Sequence, residues 1–367
     1  MAKPYTYLGK TYQVKRYPPT QHRSLQAWSA AEEYLLHYFN EEISQPGKIG
    51  IWHDRFGFLR LLLDEQAPFS VSTYHSQTQA IELNLSGHGY QLDGHRLRKV
   101  TDTLSGPIDT GLVRIPKSWD LFELYLSQVH QLLHTEGSCM AGFMTRHFSP
   151  QIVKIGQKYF EEVRQSKAWK KARLLLLDNP KSDVPPLQLN RVEWDEQLQL
   201  QQYPGVFSAQ HIDPATRLLL QHVHLDSEEN RILDLGTGNG IIATVLHARY
   251  PNRSYHLTDD SYLAIASAKL NLQGAQIHYH AVDSLDEFDD KSLDAVVSNP
   301  PFHLEYENNI EVTLRLFKEV HRCLRPGGSF QLVGNRHLNY RSHLQRIFKQ
   351  VETLKEDDRF GVYRCVR

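Results

Sequence analysis

The residues of this 367-residue chain most suited to chemistry lie in "SNPPF", residues 298–302, directly after the apolar run "AVV". The side-chain oxygen of Asn299 and the carbonyl oxygen of Pro300 can both accept hydrogen bonds from one planar amine. Pro300 and Pro301 restrict the backbone that aims these two acceptors. Phe302 offers a face on which a base can stack, an interaction worth roughly 1–3 kcal/mol. The pattern predicts a site that binds the exocyclic amine of a base through two hydrogen-bond acceptors.

A glycine-rich turn lies upstream in "ILDLGTGNG", residues 232–240. Glycines allow a tight left-handed turn and a close approach of the backbone to a ligand. The spacing departs from the dinucleotide fingerprint, because the third glycine comes one residue early and an acidic residue precedes the turn. That carboxylate favours a cationic amino group over a phosphate. The candidate cofactor contacts in this turn are Asp234, Gly236, Gly238, Asn239 and Gly240.

Carboxylates follow the next two strand candidates. Asp259 and Asp260 end the apolar run of "YHLTDD", where a carboxylate can accept both hydroxyls of a bound ribose. We prefer Asp259, which directly follows the run, and keep Asp260 as its alternative; both could instead cap the next helix. Asp283, in "HAVDSLDEF", follows the next apolar stretch, where it either reaches an adenine amine or serves as an ordinary loop residue.

These loops together suit S-adenosylmethionine, a nucleoside that carries a cationic amino acid. A planar exocyclic amine is a poor nucleophile because its lone pair is delocalised into the ring. Two acceptors fixed on its hydrogens would favour the geometry that exposes the lone pair and the positive charge that develops on transfer. We expect direct methyl transfer that yields S-adenosylhomocysteine, with no metal, since the 20 histidines show no metal-ligand spacing.

Strand and helix patterns alternate around these residues, which is typical of βαβ units in a parallel sheet covered by helices. The strand candidates are 231–235, 254–258, 295–297 and 329–334, and the helix candidates are 241–250, 262–272 and 310–324. The alternation lapses in a segment rich in Pro and Asp, 178–195. We therefore expect two domains, residues 1–180 and 181–367.

The first half repeats this pattern in weaker form. "GKIGIWHDRFGFLRLLL", residues 47–63, can be laid on residues 230–246, which places Gly57 on Gly240. The copy keeps the apolar pattern and loses the polar residues, so we expect an N-terminal domain without cofactor that serves recognition and support. The alternative is two domains that share only generic periodicity. The replacements are His53 and Arg55 for the first two glycines, Ser72 or Thr73 for the acidic residue, and Ile115-Pro116-Lys117 for Asn299-Pro300-Pro301.

Composition gives no global electrostatic signal. The chain has 41 basic and 42 acidic residues, so any surface for nucleic acid must be a local patch. Three widely spaced cysteines form neither a disulfide framework nor a zinc cluster, which favours a reducing compartment. The start lacks an apolar signal region and no stretch approaches 18 apolar residues. We expect a soluble cytoplasmic protein, without membrane association and monomeric.

The C-terminal half, residues 206–367, resembles class I S-adenosylmethionine-dependent methyltransferases of the amino-modifying group, on the glycine turn, Asp259 and the "NPPF" motif. "YPGVFSAQHIDPATRLLLQHV" is similar to the segment that covers the cofactor in ribosomal RNA guanine-N2 methyltransferases, which adds Phe207 to the cofactor candidates. The resemblance implies two tandem Rossmann-like domains with doubly wound sheets, the N-terminal one degenerate. Thr237 and Tyr262 depart from the family pattern, where cysteine and proline are common.

Within the RsmC/RlmG family, "LQAWSAAEEYLL", "AWKKARLL" and "GNRHLNY" resemble the RlmG type more than the RsmC type. The similarity covers nearly the whole chain. It implies methylation of a guanine N2 amine in 23S rRNA, either deproteinised or in an assembling particle. Three alternatives remain: the same reaction on 16S rRNA, a non-catalytic rRNA-binding assembly factor, and protein glutamine methylation, which Phe302 disfavours because those enzymes usually have tyrosine there.

Basic clusters interleaved with aromatic residues could contact RNA phosphates and bases. They lie at 94–100, 164–173 and 335–349. A single basic run is more often a solvated face, but the third cluster follows the last strand candidate and hence lies near the active edge of the sheet. The candidate RNA contacts are His303, Arg336, His337, Lys170, Lys171 and Arg173.

Overall fold

The computed structural model describes residues 3–20, 25–43, 47–91, 93–209, 211–300, 303–304, 307–308 and 310–367, and only the backbone of those between 303 and 310. The chain divides into two compact units, Met1–Gln188 and Leu189–Arg367. They are called the N-terminal and C-terminal units below. Among the described residues, no helix has the length and apolar character needed to cross a membrane.

The N-terminal unit contains a small hairpin and a seven-stranded sheet with the order β5-β4-β3-β6-β7-β9-β8. Its strands are β1 (Tyr5–Tyr7), β2 (Lys10–Tyr12), β3 (Ile49–Trp52), β4 (Phe69–Ser72), β5 (Leu97–Lys99), β6 (Ile108–Arg114), β7 (Leu133–Met144), β8 (Phe160–Gln165) and β9 (Ala172–Pro180). Its helices are α1 (Ala30–Glu42), α2 (Phe58–Leu62), α3 (His75–Ser86), α4 (Trp119–Leu132) and α5 (Pro150–Tyr159).

The C-terminal unit has a sheet of the same size with the order β14-β13-β12-β15-β18-β20-β19. Its strands are β10 (Asn190–Glu193), β11 (Gln199–Gln202), β12 (Arg231–Leu235), β13 (Ser254–Asp259), β14 (Ile277–Ala281), β15 (Leu293–Ser298), β16 (His303–Leu304), β17 (Glu307–Asn308), β18 (Leu324–Asn335), β19 (Gln350–Glu356) and β20 (Phe360–Val366). Its helices are α6 (Pro214–His222), α7 (Ile241–Arg249), α8 (Tyr262–Asn271), α9 (Ile310–Cys323) and α10 (Tyr340–Leu344).

The two sheets share one topology. In each, five parallel strands are followed by an antiparallel pair at one edge. The strand order reverses next to the first strand of the parallel set, so the carboxyl ends of β12 and β15 flank a crevice of the kind where such sheets bind ligands. The predicted fold class, two tandem doubly wound α/β domains, is confirmed.

The central strands are buried because both faces of the sheet are covered. On one face of the C-terminal sheet, Ile232 and Val297 belong to the core that includes α6, α7 and α8. On the other face, Leu233 and Val296 belong to the core that includes Phe317 of α9. Parallel strands covered on both sides read as continuous apolar runs, which explains why the sequence showed them clearly.

Strand pairing fixes how the two units correspond. Gly57 and Gly240 both precede a helix in the left-handed conformation, which supports the predicted superposition of these residues. Trp52 pairs with Val71 and Val113, as Leu235 pairs with Thr258 and Ser298. Ser72 therefore stands at the position of Asp259. The motif correspondence was wrong by one residue: Arg114-Ile115-Pro116, not Ile115-Pro116-Lys117, occupies the place of Asn299-Pro300-Pro301, because a short apolar strand carries no mark of its register.

Candidate active site

The turn between β12 and α7 is shaped by three glycines in the left-handed region: Gly236 (φ +73°), Gly238 (φ +56°) and Gly240 (φ +85°). A Cβ atom on Gly238 would meet nothing within 4 Å, whereas one on Gly240 would lie 3.1 Å from Cα and Cβ of Ala268 in α8. The two glycines thus serve different needs. Gly240 permits helix packing, and Gly238 leaves open space for the close approach of a ligand.

Asp234 is the penultimate residue of β12, directly before this turn, and its side chain is buried. Its Oδ2 accepts hydrogen bonds from Thr237 Oγ1 (2.7 Å) and from the backbone N–H of Ala243 (3.1 Å). Its Oδ1 is also buried, and within the described part of the chain it has no hydrogen-bond partner. Burial raises the pKa of Asp234 to about 7. A cationic group placed against Oδ1 would satisfy this oxygen and stabilise the ionised carboxylate.

Asp259 is fixed beside the same turn at the end of β13. Its Oδ2 accepts the backbone N–H of Gly238 (3.0 Å), and its Oδ1 accepts that of Ser261 (2.9 Å). Burial raises the pKa of Asp259 to about 6. Each carboxylate oxygen keeps further acceptor capacity for a ribose hydroxyl. The helix that follows is capped by Ser261, whose side chain accepts from Ala264 N, so the cap position belongs to neither Asp259 nor Asp260.

The remaining cofactor candidates differ from one another in burial and in polar contacts. Asp283 lies with its Oδ2 3.7 Å from Nη2 of Arg315 in α9. The Asn239 side chain is buried and supports the turn, since its Nδ2 donates to Gln202 Oε1 (2.7 Å) and its Oδ1 accepts from Ile241 N (3.2 Å). Phe207 is 66% exposed in the segment before α6. Asp260 is half-buried.

Asn299 directly follows β15, whose last residue is anchored by Ser298 Oγ donating to Leu235 O (2.6 Å). Asn299 Nδ2 donates to Asp213 Oδ2 (3.1 Å) and to Thr216 Oγ1 (2.9 Å). The other atom of the amide, Oδ1, is buried, and no described residue contributes a hydrogen bond to it. The carboxamide is thus held by its nitrogen and keeps its oxygen for another donor.

The two residues that hold this amide were missed by the sequence reasoning. Asp213 is the N-cap of α6, and Thr216 is the third residue of that helix. The "DPAT" pattern signals a helix start, because an aspartate before a proline caps the first turn. Nothing in the local pattern reveals that the cap also contacts a residue 86 positions later.

The rest of the motif is described only in part. Pro300 is buried. Pro301 and Phe302 lie outside the described residues, and so does the side chain of His303. The expected stacking of a base on Phe302 therefore stays a prediction.

The candidate RNA contacts are distributed over both units. Arg336 and His337 lie exposed in a short 3-10 helix after β18, and Arg336 Nε is 2.9 Å from Glu356 Oε1. Lys170 and Lys171 form the turn between β8 and β9, with left-handed φ values of +46° and +64°. Lys170 Nζ pairs with Glu33 (2.8 Å) and lies over the ring of Trp169. Arg173 Nη1 donates to Gln165 Oε1 at 3.3 Å.

The N-terminal unit fills the equivalent glycine turn with side chains. His53, at the position of Gly236, adopts φ +63° and is buried. Its Nδ1 is 3.2 Å from the hydroxyl of Tyr125, which is 2.5 Å from Thr73 Oγ1. Arg55, at the position of Gly238, lies beside the ring of Tyr74. These side chains occupy space that the glycines of the other unit leave open.

The position of Asn299 is also altered in the N-terminal unit. Arg114 stands there, with its Nε 3.3 Å from Glu32 Oε1 and both side chains largely buried. Glu32 is the third residue of α1, as Thr216 is the third residue of α6. An ion pair thus replaces the amide, and the Arg114 side chain has only hydrogen-bond donors where Asn299 has an acceptor.

Across the described residues, no group of three or more His, Cys, Asp or Glu side chains is arranged to hold a metal ion. The polar atoms at the carboxyl edge of the C-terminal sheet are instead carboxylate, amide and backbone groups suited to an organic ligand. Their arrangement around an open glycine turn is that of a nucleoside site.

Known proteins resemble both units. Residues 3–182 match the family model described as RLMG N-terminal domain, and residues 197–364 match that of the methyltransferase small domain. The ribosomal RNA large subunit methyltransferase G of Streptomyces coelicolor is 32% identical and covers 96% of this chain and 97% of its own. That of Pseudomonas entomophila is 32% identical, covering 95% of this chain and 96% of its own.

A solved structure has the same fold over the full chain. The 16S rRNA methyltransferase RsmC of T. thermophilus, in complex with AdoMet and guanosine, aligns with a TM-score of 0.76 at 20% identity. The alignment covers 100% of this chain and 98% of that one. The predicted family is confirmed by the sequence relatives: this chain belongs to the ribosomal RNA large subunit methyltransferase G family.

Proposed function

We propose that this protein transfers a methyl group from S-adenosylmethionine to the exocyclic N2 amine of a guanine in 23S rRNA. Membership of a family named for methylation of large-subunit ribosomal RNA supports both the reaction and the substrate class. The observation that carries the proposal is the Asn299 carboxamide, whose nitrogen is held by α6 while its oxygen has no partner among the described residues.

The residues around the glycine turn fit the cofactor. The buried Asp234 Oδ1 suits the amino group of its methionyl part, the open face of Gly238 allows its backbone contact, and Asp259 suits the ribose. When bound, the cofactor supplies an electrophilic methyl carbon on a sulfonium sulfur. Asn239 contributes through the shape of the turn, because its side-chain amide is already paired with Gln202 and Ile241.

The protein's part in the reaction is to orient and polarise the amine. Asn299 Oδ1 and the Pro300 carbonyl would accept the two N–H groups, which opposes conjugation of the nitrogen with the ring. Both acceptors also stabilise the positive charge that develops on the nitrogen during transfer. Loss of one preorganised hydrogen-bonding group of this kind costs about 10²- to 10³-fold in rate in other enzymes.

The substrate is tested by methylation of defined RNA. Purified protein and radiolabelled cofactor are incubated with 50S particles, 30S particles, and deproteinised 23S and 16S rRNA, and the modified nucleoside is identified by mass spectrometry. We expect N2-methylguanosine in 23S rRNA only. Label in 16S rRNA alone would support the alternative of a 16S rRNA guanine as the substrate. Cofactor binding without any methyl transfer would support a non-catalytic assembly factor.

The N-terminal domain, residues 1–180 in this proposal, serves recognition and support without a cofactor. The supporting observations are the filled turn around His53 and the Arg114–Glu32 ion pair. The catalytic domain, residues 181–367, carries the whole cofactor site. We further propose that the protein is a cytoplasmic monomer that meets its RNA deproteinised or in an assembling particle, with Arg336, His337, Lys170, Lys171 and Arg173 among the RNA contacts.

A further inference from the structure

We infer that Asp213 and Thr216 are positioning residues that set the orientation of the Asn299 carboxamide, so that oxygen and not nitrogen is presented to the substrate. The inference rests on the proposed methylation of an amine, since only an N–H donor needs an acceptor there. Neither residue belongs to the glycine turn or to the "NPPF" motif. Asp213 is the N-cap of α6, and Thr216 lies in the first turn of that helix.

A carboxamide has two nearly isosteric orientations, and the surroundings must choose between them. Here the choice is made by Asp213, because an ionised carboxylate has only acceptors. Its Oδ2 receives Asn299 Nδ2 at 3.1 Å, and Thr216 Oγ1 receives the same nitrogen at 2.9 Å. Rotation of the amide by 180° would place Oδ1 against the carboxylate oxygen, which is repulsive. The surroundings therefore favour the orientation in which the amide nitrogen contacts α6.

Asp213 is itself held in place. The oxygen that receives Asn299 also accepts the backbone N–H of Thr216 at 3.0 Å, the hydrogen bond that caps α6. The Thr216 side chain is buried, which fixes its hydroxyl beside the amide. The orientation of Asn299 is thus determined by the backbone position of a helix start. A buried Oδ1 that lacks a partner among the described residues is the consequence, and a substrate N–H would satisfy it.

The N-terminal unit supports this inference independently. There, too, a residue at the carboxyl end of the fourth parallel strand contacts the third residue of the helix that precedes the first parallel strand, but the pair is Arg114 and Glu32. The contact between strand end and helix start is therefore part of the shared fold. In the C-terminal unit this contact holds an amide, and in the N-terminal unit it is an ion pair whose Arg114 side chain has only donors.

The experiment must separate positioning from helix capping. Thr216→Val removes the hydroxyl acceptor while it keeps the shape and the backbone N–H. Asp213→Ser keeps a capping side chain but is too short to reach Asn299, and Asp213→Asn keeps an oxygen that can serve both contacts. Thr353→Val, in β19 at the far edge of the same sheet, is the matched control.

We expect the Asp213→Ser/Thr216→Val double variant to lower the single-turnover rate on 23S rRNA about 100-fold, the size of effect that misplacing a reactive group causes. Cofactor affinity, substrate KM and Tm should stay close to those of the wild type. Asp213→Asn should retain most of the rate, and Thr353→Val all of it. Wild-type turnover by the double variant, or an equal fall in rate, cofactor affinity and Tm, would overturn the inference.

A second readout is independent of turnover. In 15N-labelled protein, the Asn299 side-chain NH2 signals should show slow hydrogen exchange in the wild type and in Asp213→Asn, and fast exchange in the double variant. Equal exchange in the wild type and the double variant would contradict the positioning role even if no RNA were methylated. Absence of methylation by the wild type together with the expected exchange pattern would refute the proposed function alone.

Discussion

Asn84 and Asn271 occupy equivalent places in the two units and make the same set of hydrogen bonds. Asn84 Oδ1 accepts from Lys15 N, and its Nδ2 donates to the carbonyls of Lys15, Phe56 and Ala80. Asn271 Oδ1 accepts from Gln201 N, and its Nδ2 donates to the carbonyls of Gln201, Asn239 and Ser267. Asn84 thus connects α3 to the turn after β3 and to the segment before α1. Asn271 connects α8 to the turn after β12 and to the segment before α6. This supports a common origin for the two units over generic periodicity.

Substitution of either asparagine by alanine should destabilise its own unit by about 2–4 kcal/mol, because several backbone groups lose their partner at once. Hydrogen exchange measured by mass spectrometry resolves the two units. We expect Asn84→Ala to raise exchange in the N-terminal sheet and Asn271→Ala in the C-terminal sheet. An effect of Asn271→Ala confined to its own helix would show that its hydrogen bonds to Gln201 and Asn239 do not stabilise the unit.

Gly238 and Gly240 should respond differently to alanine. At Gly238 the added Cβ meets only open space, so the cost is the left-handed backbone, about 1 kcal/mol. At Gly240 the same backbone cost is joined by a 3.1 Å approach to Ala268 of α8, so Gly240→Ala should lower Tm further. Calorimetric titration should show Gly238→Ala losing cofactor affinity out of proportion to its Tm. Equal Tm values for the two variants would contradict these roles.

Cofactor binding should depend on pH through Asp234. Burial raises its folded-state pKa to about 7 from an ordinary value near 3.8, so its ionisation opposes folding progressively as pH rises from about 4 to 7. A bound cation favours the ionised form, so binding near pH 6 should release a proton and strengthen as pH rises toward 8. Titration in buffers of different ionisation enthalpy measures this release. Asp234→Asn should lower the number of protons released, and an unchanged proton count in that variant would assign the proton elsewhere.

One cofactor should bind per chain. His53, Arg55 and Ser72 replace the two glycines and the carboxylate of the C-terminal turn, so we expect no second site in the N-terminal unit. Equilibrium dialysis should give a stoichiometry of one for the wild type and no binding for Asp259→Ala. A stoichiometry of two for the wild type would place a second site in the N-terminal unit.

The sequence predicted the parts of this molecule that depend on local pattern. Buried parallel strands appear as apolar runs. The glycines at 236, 238 and 240 indicate a turn in which φ is positive. The helix predicted at 310–324 is observed as Ile310–Cys323. The internal repeat was visible because a chain that keeps the core of a fold must keep its apolar spacing.

Contacts between segments distant in the sequence could not be predicted from local patterns. Asp213 and Thr216 precede Asn299 by more than 80 positions, and nothing in "DPAT" marks a tertiary partner. The register of β6 was predicted one residue off because a one-residue slip of a short strand buried on both faces leaves an equally apolar pattern. Asn239 stays a predicted cofactor contact, and nothing in the sequence indicated that its side-chain amide pairs within the protein.

In the proposed reaction, the Asn299 side-chain oxygen activates the substrate amine. The most direct test compares Asn299→Ala with the wild type in single-turnover methylation of 23S rRNA, with cofactor affinity measured on the same samples. We predict a rate at least about 100-fold lower, with cofactor affinity unchanged within about twofold. A variant that methylates guanine at the wild-type rate would contradict the account.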